Sequence, residues 1–406
     1  MLSTIFFRLL YIGLCCLWLK RDERLSLGTV YLLLLAFVVV VVVLEYRLND
    51  ETTTPDPRHS QAEVTYSTWL GKNVTIKDMI AHFYDILAQT TERPASVFGT
   101  DCGSQQACIQ NCSRPLVDDP KERLMDILNS PNLTLSDQQR DLILTMGQAI
   151  PESDVIFLSA SSSNHYNEMQ AMFHNLHTVV LPLLPNITIV LFDIGLSEQE
   201  RKMTEKHCRC HVIRFPAEKF PPHLKDNVCY SWKPLIVRAA MEKTRHMLVY
   251  QDASIRWSKQ IPTVLDRAER IGIQYVRSDG LSRISLHTMR ETFDYFGELP
   301  CAFAPFPELE GNNAMYRRDP FIVRAMLEPW ARCALEASCM CPVSPQKVLD
   351  CRKPIADHRC HRFDQSAIGM ISAKLFNKDI HRILAPDYKF IDIHRGHTMA
   401  NYFKSL

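Results

Sequence analysis

Asp252 stands directly after the strand-like run Met247-Leu248-Val249-Tyr250, in the segment Gln251-Asp252-Ala253-Ser254. Ligands of open α/β sheets bind just beyond the carboxyl ends of the strands, so an acid in this place can hold a metal or a ligand hydroxyl. Turns also favour aspartate for backbone reasons alone, which leaves a solvated strand-end acid as the plain alternative. A second group of chemically capable side chains is Cys339, Cys341, Cys351, His358, Cys360 and His361. These are zinc-ligand types, but no paired C-x2-C signature is present, and thiols in an oxidising compartment pair with each other. The hydrolase patterns G-x-S-x-G and H-E-x-x-H are absent.

The chain has 406 residues and a formal net charge of +1. That length suffices for one large core plus accessory segments, and the balanced charge argues against a nucleic-acid polymer as partner. Gly28 to Leu44 carries no charge and includes Leu32 to Leu35 and Val38 to Val43. With Leu25 and Leu27 it reaches about the 20 residues that a bilayer span requires, so 25–44 is expected to be a transmembrane helix. Arg8, Lys20, Arg21 and Arg24 precede it, so residues 1–24 are expected in the cytoplasm and everything after Leu44 in a lumen or outside. The earlier apolar stretch from Leu2 to Leu19 is either an interfacial or acylated segment, with Cys15 and Cys16 near its end, or a second membrane pass.

Cysteines and glycosylation sequons bear on that choice. Of 14 cysteines, 12 follow the apolar run, as do four Asn-x-Ser/Thr sequons at Asn73, Asn111, Asn132 and Asn186. Both fit a disulfide-bonded lumenal glycoprotein. Residues 45–150 begin polar and proline-bearing, as a stem would, then carry helix-like patches at Ile76 to Leu87 and Lys121 to Leu128 around Cys102, Cys108 and Cys112.

From residue 151 onward the pattern alternates. Apolar strands are expected at Val155 to Leu158, Ile187 to Phe192, His211 to Phe215, Met247 to Tyr250 and Ile271 to Val276, and a last one at Tyr388 to Ile393. Helices are expected at Glu168 to Leu176, Ser197 to Lys206 and from Tyr230-Ser231-Trp232-Lys233-Pro234 to about Arg245, with Ser231 as a possible cap. Alternation of this kind gives an α/β domain with a mostly parallel sheet flanked by helices.

From about Asp154 to His397 this order of elements resembles the GT-A fold of nucleotide-sugar glycosyltransferases, behind a type II membrane anchor typical of Golgi enzymes. Tyr230-Ser231-Trp232-Lys233-Pro234, Gln251-Asp252-Ala253-Ser254 and His361-Arg362-Phe363-Asp364-Gln365-Ser366 also resemble an uncharacterised animal family of glycosyltransferase-like type II proteins. The resemblance implies a GT-A-like catalytic domain over 151–406, a nucleotide-sugar donor, and a glycan, protein or lipid acceptor. Asp252-Ala253-Ser254 takes the place of the family's D-x-D motif, with Ser254 where a second aspartate is expected. A carboxylate and a hydroxyl can still hold Mn2+ or Mg2+ against the developing charge of a diphosphate leaving group.

The remaining roles follow from the same resemblance. His394 would complete the metal shell and Arg395 would neutralise phosphate, unless His394 to His397 is only a surface tail. Asp364 is either the base that takes the acceptor's proton or an acid favoured at a helix N-terminus. Ser159, Asp193, Trp232 and Lys233 are placed on the donor side, against the alternatives of a serine-rich loop, a helix cap and packing. Asn312, His361 and Gln365 are placed on the acceptor side, with Glu310-Gly311-Asn312-Asn313 as a turn before a strand in the plain reading. A non-catalytic anchored glycoprotein that keeps the scaffold for binding is the competing function, because the second acid of the motif is missing.

Overall fold

The computed structural model describes residues 67–69, 72–89 and 112–406, except 226, 279–281, 343–350, 352–359 and 388. The expected membrane span 25–44, the apolar stretch before it, Cys102, Cys108 and Asn111 lie outside these residues. Among the described residues no helix is long and apolar enough to cross a membrane.

Ten strands are present among the described residues. β1 (Ser67–Trp69) and β2 (Lys72–Val74) form a small antiparallel pair. The central sheet contains β3 (Ser153–Ser161), β4 (Thr188–Asp193), β5 (His211–Arg214), β6 (Thr244–Gln251), β8 (Ile273–Arg277) and β9 (Leu309–Arg317), in the order β5-β4-β3-β6-β9-β8. β5, β4, β3 and β6 pair in parallel, and β9 runs antiparallel to both β6 and β8. β7 (Ile255–Trp257) and β10 (Ile391–Ile393) make a separate antiparallel pair.

The helices of the β-α-β units lie on both faces, as parallel strands require. The helix Tyr166–Asn175, between β3 and β4, buries Met169, Met172 and Phe173 against Phe157, Leu191 and Val249. The helix Trp232–Lys243, between β5 and β6, buries Leu235, Ile236, Ala239 and Ala240 against Ile156, Leu158, Leu248 and Tyr250 on the other face. The chain therefore steps outward from β3 to β4 and β5 and then crosses back, through Trp232–Lys243, to β6 on the other side of β3. The reversal falls between β3 and β6, and the carboxyl ends of strands at such a point are where ligands of open α/β sheets bind.

Several elements match the sequence expectation closely. Ser197 caps Glu198–His207 with a reciprocal capping box to Glu200. Others are corrected. Ser231 occupies the N-cap position but its hydroxyl makes no capping bond. Glu310 to Asn313 are not a turn before a strand: they lie inside β9, because Asn313 pairs with Gln251 and the strand begins at Leu309. The last strand is only Ile391–Ile393 and pairs with β7 instead of joining the main sheet.

Three helices of the region expected as stem and accessory, Ile76–Ala88, Pro120–Asn129 and Asp137–Met146, contribute Phe83, Leu124, Ile127 and Ile143 to the same core. Phe83 stacks on Phe321 at 4.7 Å, and Arg123 Nε donates to the Leu375 carbonyl at 2.8 Å. Disulfides join Cys112 to Cys301, Cys208 to Cys210, Cys229 to Cys341, Cys333 to Cys339 and Cys351 to Cys360. Cys339, Cys341, Cys351 and Cys360 are thus all paired, which removes the zinc alternative. Asn132 and Asn186 are exposed, and Asn73 lies in β2.

Candidate functional site

The buried ammonium of Lys233 is the centre of the site. It lies 2.7 Å from Asp364 Oδ2 and 3.3 Å from Asp252 Oδ1, and it donates to the Gly311 carbonyl at 2.9 Å. Four distant segments meet there: the first turn of Trp232–Lys243, the end of β6, strand β9, and the first turn of Phe363–Phe376. Tyr250, two residues before Asp252 and on the same face of β6, donates its hydroxyl to Asp252 Oδ1 at 2.5 Å. The side chain of Asp252 is 32 % exposed, whereas those of Lys233 and Asp364 are 3 % and 5 % exposed. Asp252 is therefore the face of the cluster that a ligand meets.

Burial and charge set the protonation states. Burial lifts the Asp364 carboxyl to about 6, against the pull of the Lys233 ammonium. Burial alone would lower the Lys233 pKa, but the Asp252 and Asp364 charges outweigh it and hold Lys233 above its usual value. Burial also raises Glu310, whose Oε2 accepts from Asn312 Nδ2 at 3.1 Å and lies 3.9 Å from Arg395 Nη2. Two carboxyls with raised pKa values thus share one end of the sheet, a pattern that marks acid-base sites.

The backbone is shaped around this cluster. Tyr230 (φ 52°) and Phe363 (φ 47°) adopt the left-handed region at the entries of the helices that carry Lys233 and Asp364. Non-glycine residues held there cost on the order of 1–3 kcal/mol, and such strain gathers at ligand sites. Gln365 Oε1 accepts from the Gly311 amide at 3.2 Å, so β9 is held on both sides at one glycine.

Several buried side-chain atoms of these segments and of β3, namely Ser159 Oγ, Ser231 Oγ, Trp232 Nε1, Gln251 Nε2 and Gln365 Nε2, have no hydrogen-bond partner in the chain.

The C-terminal segment passes beside the Asp252 turn. The His394 amide donates to the Ser254 carbonyl at 2.9 Å, and Glu168 Oε1 accepts the Gly396 amide at 2.9 Å. Arg395 is 74 % exposed, and His394 is exposed with its ring 5.6 Å from that of His397. As a metal site this set is incomplete. Among the described residues no three His, Cys, Asp or Glu side chains gather to hold an ion, and the Lys233 ammonium already neutralises Asp252 Oδ1. Asp252, Ser254 and His394 do not by themselves fit a resident Mn2+ or Mg2+.

Three expected residues sit apart from the exposed face. Asp193 Oδ1 accepts the amides of Gly195 and Leu196 at 2.8 and 2.7 Å, and Oδ2 pairs with Arg201. His361 is 1 % exposed, and burial pushes its pKa down to about 3. Asn312 lies within β9, where its carbonyl accepts from the Asp252 amide at 2.7 Å, so it positions the turn. The sequence alone did not single out Tyr250, and it offered Glu310 and Gly311 only as part of a segment that was either acceptor-facing or a turn. Tyr250 was readable, since i and i+2 share a strand face; the other two depended on β9.

A family model described as a protein of unknown function, DUF1647, matches residues 123–238, which include Lys233 but not Asp252. No curated protein matches the chain. Solved structures similar to it include the galactosyltransferase LgtC in complex with donor and acceptor sugar analogues, at 10 % identity over 59 % of this chain and 87 % of that one, with a TM-score of 0.33. Mouse xyloside xylosyltransferase 1 is similar at 13 % identity over 58 % of this chain and 84 % of that one, with a TM-score of 0.31. The mannosyltransferase Ktr4p of S. cerevisiae is similar at 11 % identity over 59 % and 77 %, also with a TM-score of 0.31. Likeness of this size says nothing of reaction, donor or acceptor.

Proposed function

We propose that the protein is a glycosyltransferase that moves a sugar from a nucleotide-sugar donor to a glycan, protein or lipid acceptor. The observation that carries this reading is the meeting of Asp252 and Asp364 on one buried ammonium, at the carboxyl ends of β3 and β6. The donor's nucleotide lies toward Ser159 and Gln251, and its diphosphate toward Asp252 and Arg395. Asp364, raised to about 6, takes the proton of the acceptor hydroxyl. The acceptor oxygen bonds to the anomeric carbon, the bond from that carbon to the diphosphate oxygen breaks, and the nucleoside diphosphate leaves with the electron pair. The reaction inverts the anomeric centre.

Mn2+ or Mg2+ would be held, in this reading, together with the donor's diphosphate, since the described residues offer too few ligands to hold it alone. Five disulfides support an oxidising compartment. With 25–44 as the anchor, we place the protein in the Golgi or another secretory-pathway membrane, its C-terminus lumenal. The test is nucleoside diphosphate release by the purified protein from a panel of UDP- and GDP-sugars with candidate acceptors. Turnover that disappears in Asp364→Asn and Asp252→Asn is expected. A wild type that cleaves none of these donors, with or without Mn2+, would sink the reading.

A further inference from the structure

Tyr230 has no part in the chemistry above, yet its placement is not that of an ordinary surface tyrosine. It is 39 % exposed, one of few large side chains left open among the described residues. Its ring carries the Lys233 ammonium 5.2 Å from its centroid and lies 6.4 Å from the Trp232 ring and 6.1 Å from Phe363. Lys233 in turn contacts Asp252 and Asp364, so the open ring stands one head group away from both carboxylates.

The backbone adds a second argument. At φ 52° this position would suit glycine or asparagine better than a bulky aromatic residue, so the ring is held there against local preference. A third observation is independent of both. Trp232 is 5 % exposed and its Nε1 has no acceptor in the chain, although buried indole N–H groups normally find one. Gln365 Nε2, a second donor without an acceptor, lies in the same cluster.

We infer that Tyr230 is the platform on which a pyranose ring of the acceptor lies, so that the acceptor is a carbohydrate rather than a bare polypeptide or lipid. This rests on the glycosyl-transfer reading. Tyrosine offers an apolar body with an electron-rich face, which suits the C–H side of a sugar.

The experiment is an NMR titration of the full-length protein with oligosaccharides ending in galactose, mannose, xylose or N-acetylglucosamine. Tyr230→Asn removes the ring and tolerates the left-handed backbone; Tyr230→Phe keeps the ring. The Asn variant is expected to bind the best oligosaccharide at least about tenfold more weakly, and the Phe variant within about threefold of wild type. Equal affinity in wild type and Tyr230→Asn overturns the inference, as does a wild type that binds none of the oligosaccharides. Donor cleavage without acceptor is scored separately. Tyr230-dependent sugar binding with no donor cleavage removes glycosyl transfer but keeps the platform, and donor cleavage with Tyr230-independent binding does the reverse.

Discussion

Gly311 approaches Asp364 so closely that a β-carbon on the glycine would stand 2.9 Å from Asp364 Oδ2 and 3.2 Å from Gln365 Cβ. Its φ is not left-handed, so closeness rather than backbone freedom is what demands glycine here. Gly311→Ala is expected to push Asp364 off Lys233 and lower turnover by at least about tenfold, with a stability loss on the order of 1–3 kcal/mol. Nucleoside diphosphate release and a thermal melt check both. Turnover equal to wild type would mean that Asp364 does not need this position.

Lys233 sets the pH range in which Asp364 can act. Its charge pulls the Asp364 carboxyl down, and burial still leaves it at about 6. A base works when deprotonated, so activity is expected to rise with pH through about 6. Lys233→Met removes the pull, and the acidic limb moves upward; below it, the active fraction falls about tenfold per pH unit. Initial rates between pH 5 and 8.5 give the comparison. A limb at the same pH in both proteins would detach Lys233 from Asp364.

Much of this arrangement was readable from residue patterns, and the unreadable part has a physical cause. The apolar run Ile187 to Phe192 and the polar helical stretch Ser197 to Lys206 gave β4 and the following helix almost to the residue, because both are local signals. Asp252 was placed at a strand end by the apolar run before it. β9 was misread because Glu310-Gly311-Asn312-Asn313 has turn chemistry, and its strand identity comes from pairing with Gln251 and neighbours far away in sequence. Lys233 was left between a packing or surface residue and a cleft residue, since nothing local reveals that Asp252 and Asp364 converge on it. Its 3 % exposure is a tertiary fact.

Asp193 separates a structural from a donor-binding role. Both of its oxygens are engaged within the chain, with the Gly195 and Leu196 amides and with Arg201. Asp193→Ala leaves two amides and a guanidinium without that partner, and is expected to cost about 2–3 kcal/mol. Calorimetry should show the lower melting temperature, while the donor KM of the folded protein stays within about threefold. A donor KM raised tenfold at an unchanged melting temperature would instead return Asp193 to the nucleotide.

His82 links the helix Ile76–Ala88 to the rest of the domain in a pH-dependent way. Its Nδ1 lies 2.9 Å from Asp319 Oδ2, and the hydrogen bond with Asp319 raises the His82 pKa above 6.5 despite partial burial. A histidine whose folded pKa is raised contributes stability that is fully present below its unfolded value near 6.5 and is lost as pH rises through the folded value. The side chain is 42 % exposed, so solvent screening limits the contribution to about 0.5 kcal/mol. Asp319 keeps Arg317 Nη2 at 3.3 Å and the Phe321 amide at 2.9 Å, so the variant does not strand a buried charge. His82→Gln is therefore expected to melt about a degree below wild type at pH 5.5 and to approach it at pH 9. Scanning calorimetry at the two pH values decides the matter: a gap of the same size at both would assign His82 a packing role without the ion pair.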